Sequence, residues 1–274
     1  MEINKIYNED CFITMNHMLN DKCYVDNILT SPFYNTNKKS SKNTKLTNKM
    51  LSSGKFPYCR YDVYADDMDN NEYINYTIRL FNMYDKILKP NGCIIYNLSY
   101  GSENSNCMFE TVASIIQNTA FMIADTIIWK KKTACPNNMS SNRLTRLTEY
   151  IFIFCRKSES HSFISNKKVV SVRKTGQKNY ENITNYIEAK NNDEPCPYNK
   201  ATFSSELCLK LFSIYVPTNK TNIVYDSFMG TGTTAVAAIE YGINYIGSEI
   251  SENQCKWAND RISKTLLNLQ KDVI

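Results

Sequence analysis

Glycine is scarce in this sequence, 8 in 274 residues, and histidine scarcer, with His17 and His161 alone. Neither histidine has a ligand-type partner at zinc spacing, so no metal site is expected. Ten cysteines are present without a C-x-x-C pair, scattered through apolar segments as Cys93 and Cys155 are. That usage argues for reduced thiols and a cytoplasmic location rather than a disulfide or zinc framework. No apolar run approaches the about 20 residues of a membrane-crossing helix. The stretch "MEINKIYNED" lacks the apolar core of a secretory signal. No internal repeat is visible, and a membrane partner is not expected.

What is present suits an ordinary globular core: 42% apolar and 22% charged residues. The net charge of +5 is unevenly placed. Residues 35–60 carry Lys38, Lys39, Lys42, Lys45, Lys49, Lys55 and Arg60 with no acidic residue. Between Arg156 and Lys178 lie seven Lys/Arg and one Glu. A single lysine run is usually a solvated loop. Two runs beside candidate chemistry point to a polyanion.

Short apolar runs alternate with helix-period stretches, which predicts an α/β fold: a mainly parallel sheet with helices on both faces. "NKIYN", "VDNILT", "CIIYNLS", "MIADTIIW", "EYIFIFC", "NIVYD" and "NYIGSEI" read as strands. Helices are expected near 11–19, 73–88, 104–118, 204–215 and 253–269, the second ended by "KPNG". Residues 35–60 read as a mobile basic loop. Residues 157–200 are polar, basic and weakly periodic, and read as an inserted module between 1–156 and 201–274.

Two stretches carry chemistry. "VYDSFMGTGTTAVAAIEYG" runs strand, glycine turn, helix, and Glu249 follows Gly230 by nineteen positions at the end of the next apolar run. Glycines let a backbone approach a nucleoside cofactor, and an acid so placed accepts hydrogen bonds from ribose hydroxyls. The bland alternative is a tight turn with a surface glutamate. A nicotinamide enzyme would share this turn. The rest of any nucleotide fold must then come from earlier in the chain, where "LTSPFY" ends a strand. Proline and aromatics there could simply close a core.

Together the two stretches resemble the amino-group DNA methyltransferases. "TSPFY" resembles their catalytic motif, usually Asp/Asn/Ser-Pro-Pro-aromatic, and "DSFMGTGTT" their S-adenosylmethionine motif, usually Asp-Pro-Phe-x-Gly-x-Gly-Thr. Phe33 stands in place of the second proline and Ser227 in place of the proline after the aspartate. The catalytic motif precedes the cofactor motif, an order resembling the β class. "IYNEDCF" and "ATFSSELCLKLFSIYVP" resemble further family segments.

The resemblance implies a Rossmann-like methyltransferase fold of permuted motif order and a site-specific enzyme on double-stranded DNA. It implies catalysis by Ser31, Pro32, Phe33 and Tyr34, with Tyr34 stacking on a flipped base. S-adenosylmethionine would meet Asp10, Cys11, Asp226, Phe228, Gly230, Gly232, Thr233, Thr234 and Glu249. Asp10 also reads as a helix N-cap, and Tyr34 as a core aromatic. Lys38, Lys39, Lys42 and Lys45 are expected on phosphates, Arg143 and Arg146 on DNA, and target reading in 157–200. Serine at the first motif position leans toward cytosine N4, with adenine N6 the alternative. A catalytically silent nucleic-acid binder stands as a remoter reading. A homodimer and a cognate restriction endonuclease are further partners this kinship suggests.

Overall fold

The computed structural model describes residues 1–36, 66–101, 103–133 and 141–271. Lys38, Lys39, Lys42 and Lys45, and all but the first two residues of the expected basic loop 35–60, lie outside the described residues.

Among the described residues ten strands form: β1 Lys5–Tyr7, β2 Val25–Thr30, β3 Leu88–Leu98, β4 Phe121–Lys131, β5 Thr148–Arg156, β6 Val169–Val172, β7 Lys178–Tyr180, β8 Tyr186–Ala189, β9 Ile223–Asp226 and β10 Asn244–Ser248. Six α-helices of the described residues accompany them: α1 Cys11–Asn20, α2 Asn70–Ile87, α3 Cys107–Asn118, α4 Ser205–Tyr215, α5 Thr233–Tyr241 and α6 Glu252–Lys271. Eight strands make one sheet in the order β1-β10-β9-β2-β3-β5-β4-β8. From β1 to β3 all neighbours are parallel. β5 runs antiparallel to both β3 and β4.

The sheet is covered on both faces because its strands are apolar on both. In β2, Ile28 packs with α1, α2 and α3, through Met15, Phe81 and Ile115. Its neighbour Leu29 packs on the other side with α4, α5 and α6, through Phe212, Ala237 and Ile262. Successive residues of a strand point to opposite faces, so Ile94 and Ile95 divide the same way, as do Phe154 and Ile153. This is the expected α/β architecture.

β9 and β2 come from opposite ends of the chain and lie side by side at the centre of the sheet. β9 leads through α5 to β10 on one side, and β2 leads toward β3 on the other. That reversal is a topological switch point, where ligands bind beyond the carboxyl ends of the strands.

The span 157–200 is not wholly separate from the sheet. β6 and β7 form their own two-stranded ribbon, but β8 joins the main sheet parallel to β4, with Trp129 opposite Ile187. β8 is four residues long and alternates exposed and buried positions at the sheet edge. So short a polar edge strand has little periodicity to read.

Candidate active site

At the switch point the chain leaves β9 and turns through Ser227–Gly232 into α5. Gly230 and Gly232 adopt φ of +54° and +81°, the left-handed region that a side chain resists. Gly232 also lets α6 approach, since a Cβ there would lie 2.7 Å from Ala258 Cβ. Glu249, just past β10, accepts the Gly230 amide at 2.8 Å and the Ser251 amide at 2.9 Å, one on each carboxylate oxygen. Thus the expected acid does face the glycine turn, and it also holds that turn in shape.

Asp226 sits beneath the turn rather than at its surface. Its carboxylate accepts Thr30 Oγ1 at 2.7 Å, the Phe228 amide at 3.0 Å and Thr234 Oγ1 at 2.5 Å. Burial pushes the carboxyl up to about 6, against the pull of those hydrogen bonds. With 1% exposure it joins β2, β9 and α5 from inside. Thr234 is likewise fully buried and spends its hydroxyl on Asp226. The Thr233 hydroxyl accepts from Arg261 at 3.0 Å.

Thr30 is the hinge between the two motifs. It precedes Ser31 in sequence and touches both Asp226 and, at 3.2 Å, Ser227 Oγ. Phe33 and Phe228 meet directly, ring centroids 6.2 Å apart. Phe33 also packs against Tyr73 at 5.3 Å and Tyr76 at 5.8 Å. The Tyr73 hydroxyl donates to the Phe33 carbonyl at 2.7 Å. Where the family carries proline, this chain therefore fixes its turn by aromatic packing. Pro32 is buried in the same turn.

Tyr34 does not present an open ring. It is 3% exposed and belongs to the core cluster of α1, α2 and α3. A stacking role would need an accessible face. Its hydroxyl donates to Glu149 Oε2 at 3.0 Å, accepts from Asn97 Nδ2 at 2.7 Å and lies 2.9 Å from Ser31 Oγ. Lys131 Nζ closes on the other Glu149 oxygen at 2.5 Å. Asn97, Lys131 and Glu149 line a polar cavity of about 270 Å³ together with Lys200, Thr202 and the half-buried Phe203.

Asp10 caps α1 by accepting the Phe12 amide at 2.8 Å, so the N-cap reading holds. Cys11 is buried, its thiol pushed up to about 12 by burial, and serves as a core residue. Arg143 lies exposed in the β4–β5 connection. Arg146, also exposed, donates to the Tyr100 carbonyl and lies 4.9 Å from the centre of that ring.

Four residues at the site carry no local motif. Asn97 ends β3, Glu149 begins β5, Lys131 ends β4, and Arg261 on α6 donates to the Thr231 carbonyl at 2.9 Å. Lys131 and Glu149 offered the signal of a charged residue at an expected strand end, whereas the uncharged Asn97 and the helical Arg261 did not.

Comparison with known proteins agrees with this geometry. M.SmaI, a type II methyltransferase of Serratia marcescens, is 28% identical over 152 residues, 55% of this chain and 50% of that protein. The chain spans about half the length of the curated relatives it matches. The crystal structure of M1.HpyAVI superposes with a TM-score of 0.59 at 23% identity, covering 94% of this chain and 98% of that one. The PvuII DNA methyltransferase (cytosine-N4-specific) gives 0.63 at 15% identity, covering 94% and 85%. These structures share the fold. A family model described as DNA methylase matches residues 25–260, and over that span, most of the sequence, the chain belongs to the N6/N4 DNA methylase family.

Proposed function

We propose that this protein methylates the exocyclic amino group of a base in double-stranded DNA, drawing the methyl group from S-adenosylmethionine. The observation that carries the proposal is the joint at the switch point, where Thr30 bonds Asp226 at 2.7 Å and so sets the Ser31 turn against the glycine turn. The residues fit the cofactor. Gly230 and Gly232 hold the turn at positive φ, and the Glu249 carboxylate, the expected ribose acceptor, lies against it on the Gly230 amide at 2.8 Å. When bound, S-adenosylmethionine supplies an electrophilic methyl group, the sulfur–methyl bond breaking as the nitrogen–methyl bond forms.

The protein's part is to make a poor nucleophile adequate. The lone pair of an exocyclic amino group is delocalised into its ring. Acceptors for its protons, the Ser31 hydroxyl and the Pro32 carbonyl, favour a pyramidal nitrogen with the lone pair directed away from the ring. The cationic product nitrogen then sheds a proton to water. Such chemistry needs a base taken out of the duplex, at a cost of a few kcal/mol. The polar cavity lined by Asn97 and Glu149 is large enough to hold one, and Trp129 and Phe203 are rings that line it. Serine as first motif residue favours cytosine N4 over adenine N6.

The span 157–200 is proposed to read the target. Its exposed ribbon suits the major groove, which admits a two-stranded element. Lys38, Lys39, Lys42, Lys45, Arg143 and Arg146 are proposed backbone contacts. The type II designation of the relatives extends the proposal to a paired restriction endonuclease, and the methyltransferase is proposed to act in the cytoplasm, with a homodimer as its assembly. Incubation of DNA with labelled cofactor, followed by nucleoside analysis, tests the core reading. N4-methylcytosine or N6-methyladenine is expected. Glu249→Ala should weaken S-adenosylhomocysteine binding by about 1–3 kcal/mol. Label in neither nucleoside, or parent affinity in that variant, would overturn the reading.

A further inference from the structure

The hydroxyl of Ser31 can donate or accept, and only an acceptor helps an amino group lose its planarity. What decides its direction lies outside the motif. Glu149 sits 8% exposed at the start of β5. Because β5 is antiparallel to β3, its first residues arrive at the edge where the parallel strands end. There Lys131 Nζ pairs with Glu149 Oε1 at 2.5 Å, an ammonium against a carboxylate. A carboxylate only accepts.

The remaining protons follow by elimination. Tyr34 has one hydroxyl proton, and it goes to Glu149 Oε2 at 3.0 Å. Asn97 must turn its amide nitrogen, not its oxygen, toward the same carboxylate, and that nitrogen lies 3.1 Å from Glu149 Oε2 and 2.7 Å from the Tyr34 oxygen. Ser31 Oγ lies 2.9 Å from that phenolic oxygen, whose own proton is already committed. Ser31 must therefore give its proton to Tyr34. Its lone pairs are left for Asn97 Nδ2, at a long 3.3 Å, and for the substrate. Ser31 is partly exposed while Tyr34 and Glu149 are buried, so only the end of the relay is open.

We propose that Glu149 is a positioning residue which, through the Tyr34 hydroxyl, fixes the Ser31 hydroxyl as a hydrogen-bond acceptor for the target amino group. The proposal rests on the methyltransferase reading above. It assigns Tyr34 a task that its buried ring permits, and it gives the polar cavity a built-in charge pair whose purpose is orientation.

Single-turnover methyl transfer by the full chain tests it, with S-adenosylhomocysteine and DNA dissociation constants measured alongside. In Glu149→Gln, Lys131 keeps the amide oxygen, and the amide nitrogen then donates toward Tyr34. Tyr34 turns its proton toward Ser31, and Ser31 ceases to accept. Tyr34→Phe cuts the same relay one bond nearer the substrate. Each is expected to lower the transfer rate roughly 10- to 100-fold, the scale of one lost hydrogen bond to a buried polar partner, with both dissociation constants within about twofold of the parent. The discriminating measurement is the Ser31→Ala background. There the relay has nothing left to orient, so Glu149→Gln and Tyr34→Phe should each add no further loss. Parent rates in both single variants would overturn the proposal. So would losses that persist undiminished beside Ser31→Ala, since those would mark a merely structural role. Absence of label in base amino groups with the parent protein would instead refute the methyltransferase reading itself.

Discussion

Asp226 accepts three hydrogen bonds, from Thr30, Thr234 and the Phe228 amide, in a place with 1% exposure. Desolvation still outweighs them and raises its carboxyl to about 6. The unfolded chain would hold the same proton only below about 3.9. Between these values the folded state binds more protons than the unfolded one, so stability falls as pH rises. The contribution is fully present below about pH 4 and is lost as pH passes through about 6, a change of about 3 kcal/mol. Asp226→Asn removes this titration while keeping a polar group among the same partners. Urea unfolding at several pH values is expected to show the parent losing stability relative to Asp226→Asn across that window. Parallel curves for the two proteins would contradict it. Ser31, Phe33 and Tyr34 show the same point at the neighbouring turn: each is set by partners distant in sequence, Glu149, Tyr73 and Asn97 among them.

Among the elements, those with strong period or punctuation were legible. α2 stops at Ile87 before "KPNG" as expected, and the glycine turn lies between β9 and α5 with Glu249 against it. Two contributions were not legible, for physical reasons. The antiparallel setting of β5 carries Glu149 to the site, and strand direction leaves no mark on a single strand's pattern. An aromatic residue in a motif can offer its face or its hydroxyl, and only packing shows that the Tyr34 ring is buried while its hydroxyl bonds Glu149. The β6–β7 ribbon is a third case, since an isolated hairpin is marginal in water. Val170 and Val172 are 64% and 61% exposed on it, and Lys167, Lys168, Lys174 and Lys178 are exposed around it. Such an element gains stability on a partner. If DNA is that partner, replacing the four lysines by glutamine should flatten the dependence of log affinity on log salt by about one per lost phosphate contact. The S-adenosylhomocysteine affinity should not change. An unchanged salt slope, measured by fluorescence anisotropy, would remove the ribbon from the DNA interface.

At the scale of the whole molecule the permuted motif order sets a problem: the cofactor turn lies near the end of the chain and must be tied to what precedes it. Thr30 and Asp226 make one tie across β2 and β9. Arg261 makes another. It is 8% exposed, and it donates to the Thr231 carbonyl at 2.9 Å, Thr233 Oγ1 at 3.0 Å and Asp193 Oδ2 at 2.6 Å, with Glu194 at 3.2 Å. Asp193 in turn accepts the Ser205 amide at 2.9 Å, at the start of α4. One guanidinium thus joins α6, the glycine turn, the end of the 157–200 span and α4. Removing it leaves the Thr231 carbonyl without its donor and unpairs the partly exposed Asp193, which should cost about 1–3 kcal/mol of stability. The more telling variant is Arg261→Lys. A lysine keeps the charge but offers one compact ammonium instead of a planar fork. It can satisfy Asp193 or the Thr231 carbonyl, not both. Arg261→Lys is therefore expected to recover part of the stability lost in Arg261→Ala, as read by urea unfolding. It should still bind S-adenosylhomocysteine more weakly than the parent, because the glycine turn is no longer held to the rest of the chain. Parent affinity in Arg261→Lys, measured by calorimetry, would show that the turn keeps its shape through Glu249 alone.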